Sequence, residues 1–333
     1  MIRDFLACNI RLNNKRLMEL FATPCLPRFE PRRELGRTGF PATVLGIGDV
    51  ADRNLSLETC VATVRRAIAA GLNVIDTAPG YEDGYSEQIV GEAIKGVRER
   101  LFVIDKIDEL NDPVEAQIDA SLQRLQLDNT DAFVFHNLSS METFQTLAQP
   151  GGGFDQLAAC IKAGKTRFRG ISSHNPEVLR AAINAGLCDI VMFPVGPFVD
   201  ARYVTEILPL AKAHQVGTVC FKTFGAGKLL GDTSGYNQPL QLRPRGKLSS
   251  GGVDDATAVL PRLEVQECLH YTMTLDPDVA LLGLSFPNEQ DAAFAAAGNF
   301  QPLAPEQLET IRRRAIIARQ EKGPCWWNPN PTE

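Results

Sequence analysis

The chain predicts an α/β fold, a closed eight-stranded parallel barrel of the (β/α)8 type, and three observations carry that expectation. From Thr43 onward, eight short apolar runs rich in β-branched and aromatic residues alternate with eight helical patterns. No composition break or linker interrupts the series, so the 333 residues read as one large barrel domain with additions rather than as two domains. Chemically able residues also gather where the apolar runs stop: Asp76 in NVIDTAPGY, Tyr81 just after it, Lys106 in LFVIDK and His136 in DAFVFH. In a parallel β/α architecture the carboxyl ends of all strands open on one face, so residues distant in sequence meet there.

The strands are expected at 43–48, 73–78, 101–107, 131–138, 168–173, 189–196, 217–225 and 279–286. The helix after the first strand is the clearest: Ser56 is a good N-cap, and Leu57, Val61, Val64 and Ile68 form one apolar stripe that ends near Gly71. SEQIVGEAIKG, DPVEAQIDASLQRLQ, FDQLAACIKAGK, PEVLRAAINAG and DARYVTEILPLAKAHQ follow the same habit. ATAVLPRLEVQECLHYTM takes the seventh helical place despite its internal Pro261, and NEQDAAFAAAG the eighth. PEQLETIRRRAIIARQEKG then predicts an extra C-terminal helix, followed by a tail rich in Pro and Trp. Residues 34–333 are therefore expected to form the barrel domain with its C-terminal helix and tail, and residues 1–33 an N-terminal extension. That extension holds seven Arg and Lys but no Ser and no apolar core, which argues against a transit or signal peptide. Residues 226–255 carry no periodicity and follow the seventh strand, so they are expected on the catalytic face. There Lys228, Arg243, Arg245 and Lys247 either grip phosphates or belong to a solvated loop.

Composition excludes several functions. A net charge of −6 and a pI near 5.4 argue against a nucleic-acid surface. No apolar run approaches the ~20 residues that span a bilayer. The eight cysteines are scattered, without a C-x-x-C pair or metal-ligand spacing, and several sit in apolar runs, as Cys220 does. Reduced, mostly structural thiols point to the cytoplasm. GIGDVA (46–51) matches G-x-G-x-x-A, with Asp76 at the next strand end in the manner of a dinucleotide fold. In that fold, however, the helix begins within the glycine motif, whereas here it begins near Leu57.

Asp76, Tyr81, Lys106 and His136 bring together a carboxylate, a phenol, an ammonium and an imidazole, a set suited to proton transfer. Taken singly, Asp76 reads as a loop carboxylate, Lys106 as an ion-pair partner and His136 as a satisfied rim histidine. Four such groups at successive strand ends point instead to an enzyme.

With these residues in place, the chain resembles the aldo-keto reductase family from RELGRTGFPATVLGIG (33–48) to about Phe294. NVIDTAPGYEDGYSEQIVGEAI (73–94) is similar to the family's Asp-Thr-Ala, tyrosine and Ser-Glu segment, and LQRLQLDNTDAFVFH (122–136) and GKTRFRGISSHN (164–175) resemble two more. The resemblance implies an NAD(P)-dependent oxidoreductase that interconverts a small aldehyde, ketone or sugar lactol with its alcohol or lactone. Tyr81 would be the general acid, Lys106 would lower its pKa, Asp76 would hold Lys106, and His136 would orient the carbonyl. Tyr85, four residues on, is a rival acid and a substrate contact, together with Val50, Tyr81 and His136. Phe198, Trp326 and Trp327 are further candidates for an apolar pocket wall.

For the cofactor, NADP with NAD as the alternative, the resemblance implies contacts from Gly48, Asp49, Val50, Asp76, Ser172, Ser173 and Met192. FKTFGAGKL adds Phe221, Lys222, Thr223, Gly225, Gly227 and Leu229, and LLGLSFPNEQ adds Gly283, Ser285 and Gln290. Ser173 and Met192 stand where Asn and Gln are common in the family, and Leu284 and Gln290 where Lys and Arg often bind the 2′-phosphate. The partner is a small molecule, with no nucleic acid and no membrane expected, and oligomeric state is not readable. A nucleotide-binding regulatory or scaffold subunit of the same fold, and an unrelated barrel lyase or isomerase using Lys106 in a Schiff base, are the competing readings.

Overall fold

The computed structural model describes residues 28–231, 260–323, 325, 327 and 328. The expectations for residues 1–27, for Arg243, Arg245 and Lys247 and for Trp326 lie outside the described residues. Strands β3 (Leu45–Gly48), β4 (Val74–Asp76), β5 (Phe102–Ile107), β6 (Thr130–Phe135), β7 (Thr166–Ser172), β8 (Ile190–Pro194), β9 (Gly217–Phe221) and β10 (Val279–Leu282) pair in parallel and close a barrel, β10 returning to β3. Helices separate the strands, so the predicted (β/α)8 fold is present and the dinucleotide-fold alternative is not. After Gly48 the chain runs on as a loop, and its first helix spans Leu57–Ala69, capped by Ser56, whose hydroxyl accepts the Thr59 N–H.

Side chains alternate along a strand with period two, and this decides what the barrel does. Val74, Phe102, Ile104, Ala132, Val134, Ile190, Met192, Val219, Val279 and Leu281 form one inner apolar cluster. The intervening residues, such as Ile75, Val103, Phe133, Phe135, Val191 and Phe193, pack in two outer clusters with the helices. Continuing the inner series by two residues toward the strands' carboxyl ends gives Asp76 after Val74, Lys106 after Ile104 and His136 after Val134. The same alternation that fills the barrel with apolar side chains thus delivers polar ones to its mouth.

Three elements differ from expectation. An antiparallel hairpin, β1 (Arg33–Glu34) with β2 (Pro41–Ala42), covers the amino-terminal end of the barrel and adds Leu35 and Ala42 to the inner cluster. A short helix, Met141–Leu147, precedes the predicted Gly153–Lys162. The seventh helix is Val265–Thr274, started by a reciprocal capping pair of Glu264 and Glu267, so Pro261 lies before it. The predicted C-terminal helix is Pro305–Ala318. Phe29 is buried edge-to-face against Phe294, which ties the amino-terminal segment to the body. The six cysteines among the described residues are all free thiols.

Candidate active site

At the barrel mouth, the Lys106 ammonium donates to both carboxylate oxygens of Asp76, at 2.6 and 2.7 Å, and to the Thr77 carbonyl at 2.8 Å. Both partners are nearly inaccessible to solvent. Burial opposes the lysine charge, but Asp76 and Tyr81 outweigh it and hold Lys106 well above its ordinary range. A permanent ammonium is the result. Gly48, paired in register with Asp76, makes room for this pair: a Cβ there would lie 3.0 Å from both Cβ and Oδ2 of Asp76.

Tyr81 follows Asp76 in the loop after β4 and packs over Lys106, whose Nζ is 4.4 Å from the phenol ring centroid. The Tyr81 and His136 rings meet edge to face at 5.5 Å. The four residues expected to act together therefore form one cluster. The expected pull of Lys106 on the phenol is present but is not the largest influence on it. Lys106 does pull the Tyr81 pKa down, but burial, assisted by Asp76 and Asp49, wins and raises it well above 10. The phenol stays protonated at neutral pH. Tyr85 lies apart from this cluster, its hydroxyl donating to the Leu55 carbonyl at 3.2 Å and its ring under the Arg53 guanidinium.

Sequence reading overlooked Asp108. It is the next inner-series residue after Lys106, just past the end of β5, where a parity count would have found it. Its Oδ1 lies 2.5 Å from His136 Nδ1, and its Oδ2 accepts the Gly80 N–H at 2.6 Å. Burial pushes the Asp108 carboxyl up, but the hydrogen bond and charge of His136 and the Gly80 N–H bring it below its ordinary value. Asp105 was overlooked too. It faces outward into a buried group with Glu87, which Arg124 holds by two hydrogen bonds, and it accepts the Lys106 backbone N–H. Burial, then the Glu87 charge, pushes the Asp105 carboxyl well above its ordinary value.

With the fold and this cluster in view, the comparison with known proteins is decisive: the profile of the Aldo/keto reductase family matches residues 43–313. The chain belongs to the aldo/keto reductase family. Among curated relatives, the L-galactose dehydrogenase of Arabidopsis thaliana is 24% identical over 313 residues, covering 88% of this chain and 96% of that protein. The NADH-specific methylglyoxal reductase of Escherichia coli is 27% identical over 219 residues, covering 59% of this chain and 66% of that protein. Among solved structures, an aldo-keto reductase from Klebsiella pneumoniae in complex with NADPH superposes with a TM-score of 0.63 at 20% identity, covering 88% of this chain and 98% of that one. The holo form of a Bacillus halodurans aldo-keto reductase gives the same TM-score at 24% identity, covering 85% and 95%. This aldo-keto reductase is thus an oxidoreductase of a family with the same barrel.

Beside the four-residue cluster lies a loop suited to a dinucleotide. Lys222, Gly225, Ala226 and Gly227 all have positive φ, and a Cβ on Gly225 would strike the Leu229 side chain at 2.8 Å. Such a turn exposes backbone N–H groups to an approaching phosphate. Thr223 Oγ1 is buried there without a hydrogen-bond partner among the described residues. The Lys222 ammonium lies over the rings of Phe221 and Trp327, and burial lowers its pKa to about 8, partly offset by Asp49. An unsatisfied hydroxyl and a desolvated ammonium both fit a bound anion.

Other expected cofactor residues sit less openly. Met192 packs inside the barrel next to Ser172, its neighbour across β7 and β8. The Ser173 hydroxyl accepts the Asn175 N–H, ahead of the helix Pro176–Asn184 that Asn175 caps. Gln290 is fully buried; its amide donates to the Thr63 and Leu284 carbonyls and accepts from Arg66. Arg66 also binds the Pro287 carbonyl and Asp291. Lys228 is buried and donates to the Lys322 carbonyl, anchoring the segment after the C-terminal helix. Asp49, at positive φ, and Val50 follow Gly48 at the mouth, and Ser285 and Gly283 follow β10. Phe198 packs under Arg319, and Trp327 is completely buried.

Proposed function

We propose that this aldo-keto reductase interconverts a small aldehyde, ketone or sugar lactol with its alcohol or lactone, using NADP, with NAD as the alternative. The observation that carries the reading is the buried Asp76–Lys106 pair under the Tyr81 phenol, beside a loop built for an anion. The bound nicotinamide supplies or accepts the hydride at the carbonyl carbon. The protein's own groups manage the oxygen. Tyr81 Oη donates its proton as the carbonyl oxygen gains electrons. Its raised pKa does not prevent this, because the alkoxide being formed is a far stronger base than a phenolate. Lys106 stabilises the phenolate left behind, Asp76 keeps Lys106 charged and in place, and His136 orients the carbonyl oxygen. Lys222 and the turn at Gly225 and Gly227 hold the pyrophosphate, with Thr223 adding a hydroxyl.

The Klebsiella pneumoniae neighbour carries NADPH, while the Escherichia coli relative is named as NADH-specific. At the expected adenosine end, Arg66 is the cation the described residues place beside Gln290, and it is already bound to Asp291. A 2′-phosphate without an Arg or Lys partner loses its strongest charge-assisted contacts.

The test is a fluorescence titration with NADPH and NADH, followed by turnover on aldehydes, methylglyoxal and free sugars. Tyr81→Phe is expected to bind dinucleotide as the wild type does and to lose turnover by roughly 10²–10⁴-fold. Wild-type binding without turnover on any substrate would instead favour a nucleotide-binding regulatory subunit.

A further inference from the structure

We propose that Asp108 is a positioning residue for the reaction, one carboxylate that fixes both His136 and the loop presenting Tyr81. The inference rests on the assignment of Tyr81 and His136 to the chemistry. The two oxygens of Asp108 divide the contacts between them. Oδ1 meets His136 Nδ1 at 2.5 Å, and Oδ2 accepts the N–H of Gly80, the residue before Tyr81, at 2.6 Å. Gly80 suits this contact closely, since a Cβ there would stand 2.5 Å from Asp108 Oδ2. Nothing larger than glycine fits while that bond is kept.

The chemical consequence concerns the imidazole. A neutral histidine carries its proton on one nitrogen only, and a carboxylate on Nδ1 holds the proton there. Nε2 is then the acceptor nitrogen left for the substrate side, and the ring cannot turn without breaking a charge-assisted bond. The carboxylate also balances the imidazolium whenever His136 takes a second proton. The other ionisable groups around the imidazole are Tyr81, Asp76, Lys106 and His174. His174, held neutral with its pKa near 3 by burial and by Lys222, adds no charge at neutral pH. Because Gly80 and His136 lie on different loops, Asp108 also keeps the edge-to-face contact of Tyr81 and His136 in register.

The test uses the full-length protein and variants Asp108→Asn, Gly80→Ala, His136→Ala and the double variant Asp108→Asn with His136→Ala. Asp108→Asn keeps an acceptor for Gly80 but offers an N–H to Nδ1, which favours the wrong tautomer. Its kcat at pH 7 is expected to fall roughly 10²-fold, with NADPH binding unchanged and the pH profile altered. Gly80→Ala, which crowds Oδ2 while leaving both side chains in place, is expected to lower kcat with NADPH binding unchanged. The double variant is expected to be no slower than His136→Ala alone, because Asp108 acts through the imidazole. In the wild type, nitrogen-15 NMR of the His136 ring should find Nδ1 protonated from pH 6 to 9. A wild-type kcat and pH profile in Asp108→Asn, losses that simply add in the double variant, or an unprotonated Nδ1 would each overturn the proposal. Loss of turnover in Tyr81→Phe alongside any of these would show that the reaction assignment stands while the role of Asp108 does not.

Discussion

Asp76 and Lys106 form the most deeply buried ion pair in the site, and its energetics are lopsided. Removing one partner leaves an uncompensated charge in the barrel, which costs about 3–5 kcal/mol, whereas replacing both with apolar groups of similar size is often nearly neutral. Lys106→Met is therefore expected to lose about that much stability in urea unfolding. The double variant Asp76→Leu with Lys106→Met should recover most of it while remaining inactive. If the single variant is as stable as the wild type, the pair is not charged as described. Asp76, Tyr81, Lys106 and His136 were legible in the sequence because each follows an apolar run closely. Asp108 was not, since KIDELND reads as a solvated loop until the inner parity of β5 is followed past its end. Gln290 and Lys228 were legible only as polar residues in the right segments; their hydrogen bonds to distant carbonyls depend on tertiary packing.

At the scale of elements, strand alternation and close backbone approach shape the site. Gly170 in β7 lies so close to β8 that a Cβ would stand 2.0 Å from the Ile190 carbonyl oxygen. Backbone cannot yield as a flexible side chain can. Gly170→Ala is therefore expected to lower stability by about 1–3 kcal/mol, read as a reduced urea midpoint, and to weaken dinucleotide binding by shifting Ser172. An unchanged midpoint would mean that the barrel opens there more easily than its packing indicates. All eight barrel strands were legible as β-branched or aromatic runs between helical periods. The β1–β2 hairpin was not: two-residue strands have no periodicity to read, and their pairing rests on Leu35 and Ala42 entering the barrel.

For the whole molecule, the barrel collects a glycine-rich loop suited to an anion, a buried ion pair and a His–Asp pair at one mouth, while a hairpin covers the other. The end of the chain takes part: Trp327 is buried against Lys222, and Lys228 binds the Lys322 carbonyl. A lysine whose folded-state pKa lies near 8, below its ordinary 10.5, destabilises the protein while charged. Stability of the free protein is thus gained as pH rises from about 8 toward 10.5. A bound pyrophosphate restores the charge, so binding takes up a proton above pH 8. Dinucleotide affinity should then weaken by at most about tenfold per unit above pH 8, and Lys222→Met should flatten the profile; equal slopes in both proteins would place the pyrophosphate elsewhere.

The central claim, hydride exchange at a carbonyl with Tyr81 handling the proton, is tested most directly by isotope transfer. NADPH deuterated at the nicotinamide C4 position would be incubated with methylglyoxal or another accepted carbonyl compound, and the alcohol product analysed by mass spectrometry. Deuterium on the carbinol carbon with the wild type, and almost no product with Tyr81→Phe at saturating dinucleotide, is the result expected. Product free of deuterium, or a Tyr81→Phe variant as fast as the wild type, would contradict it.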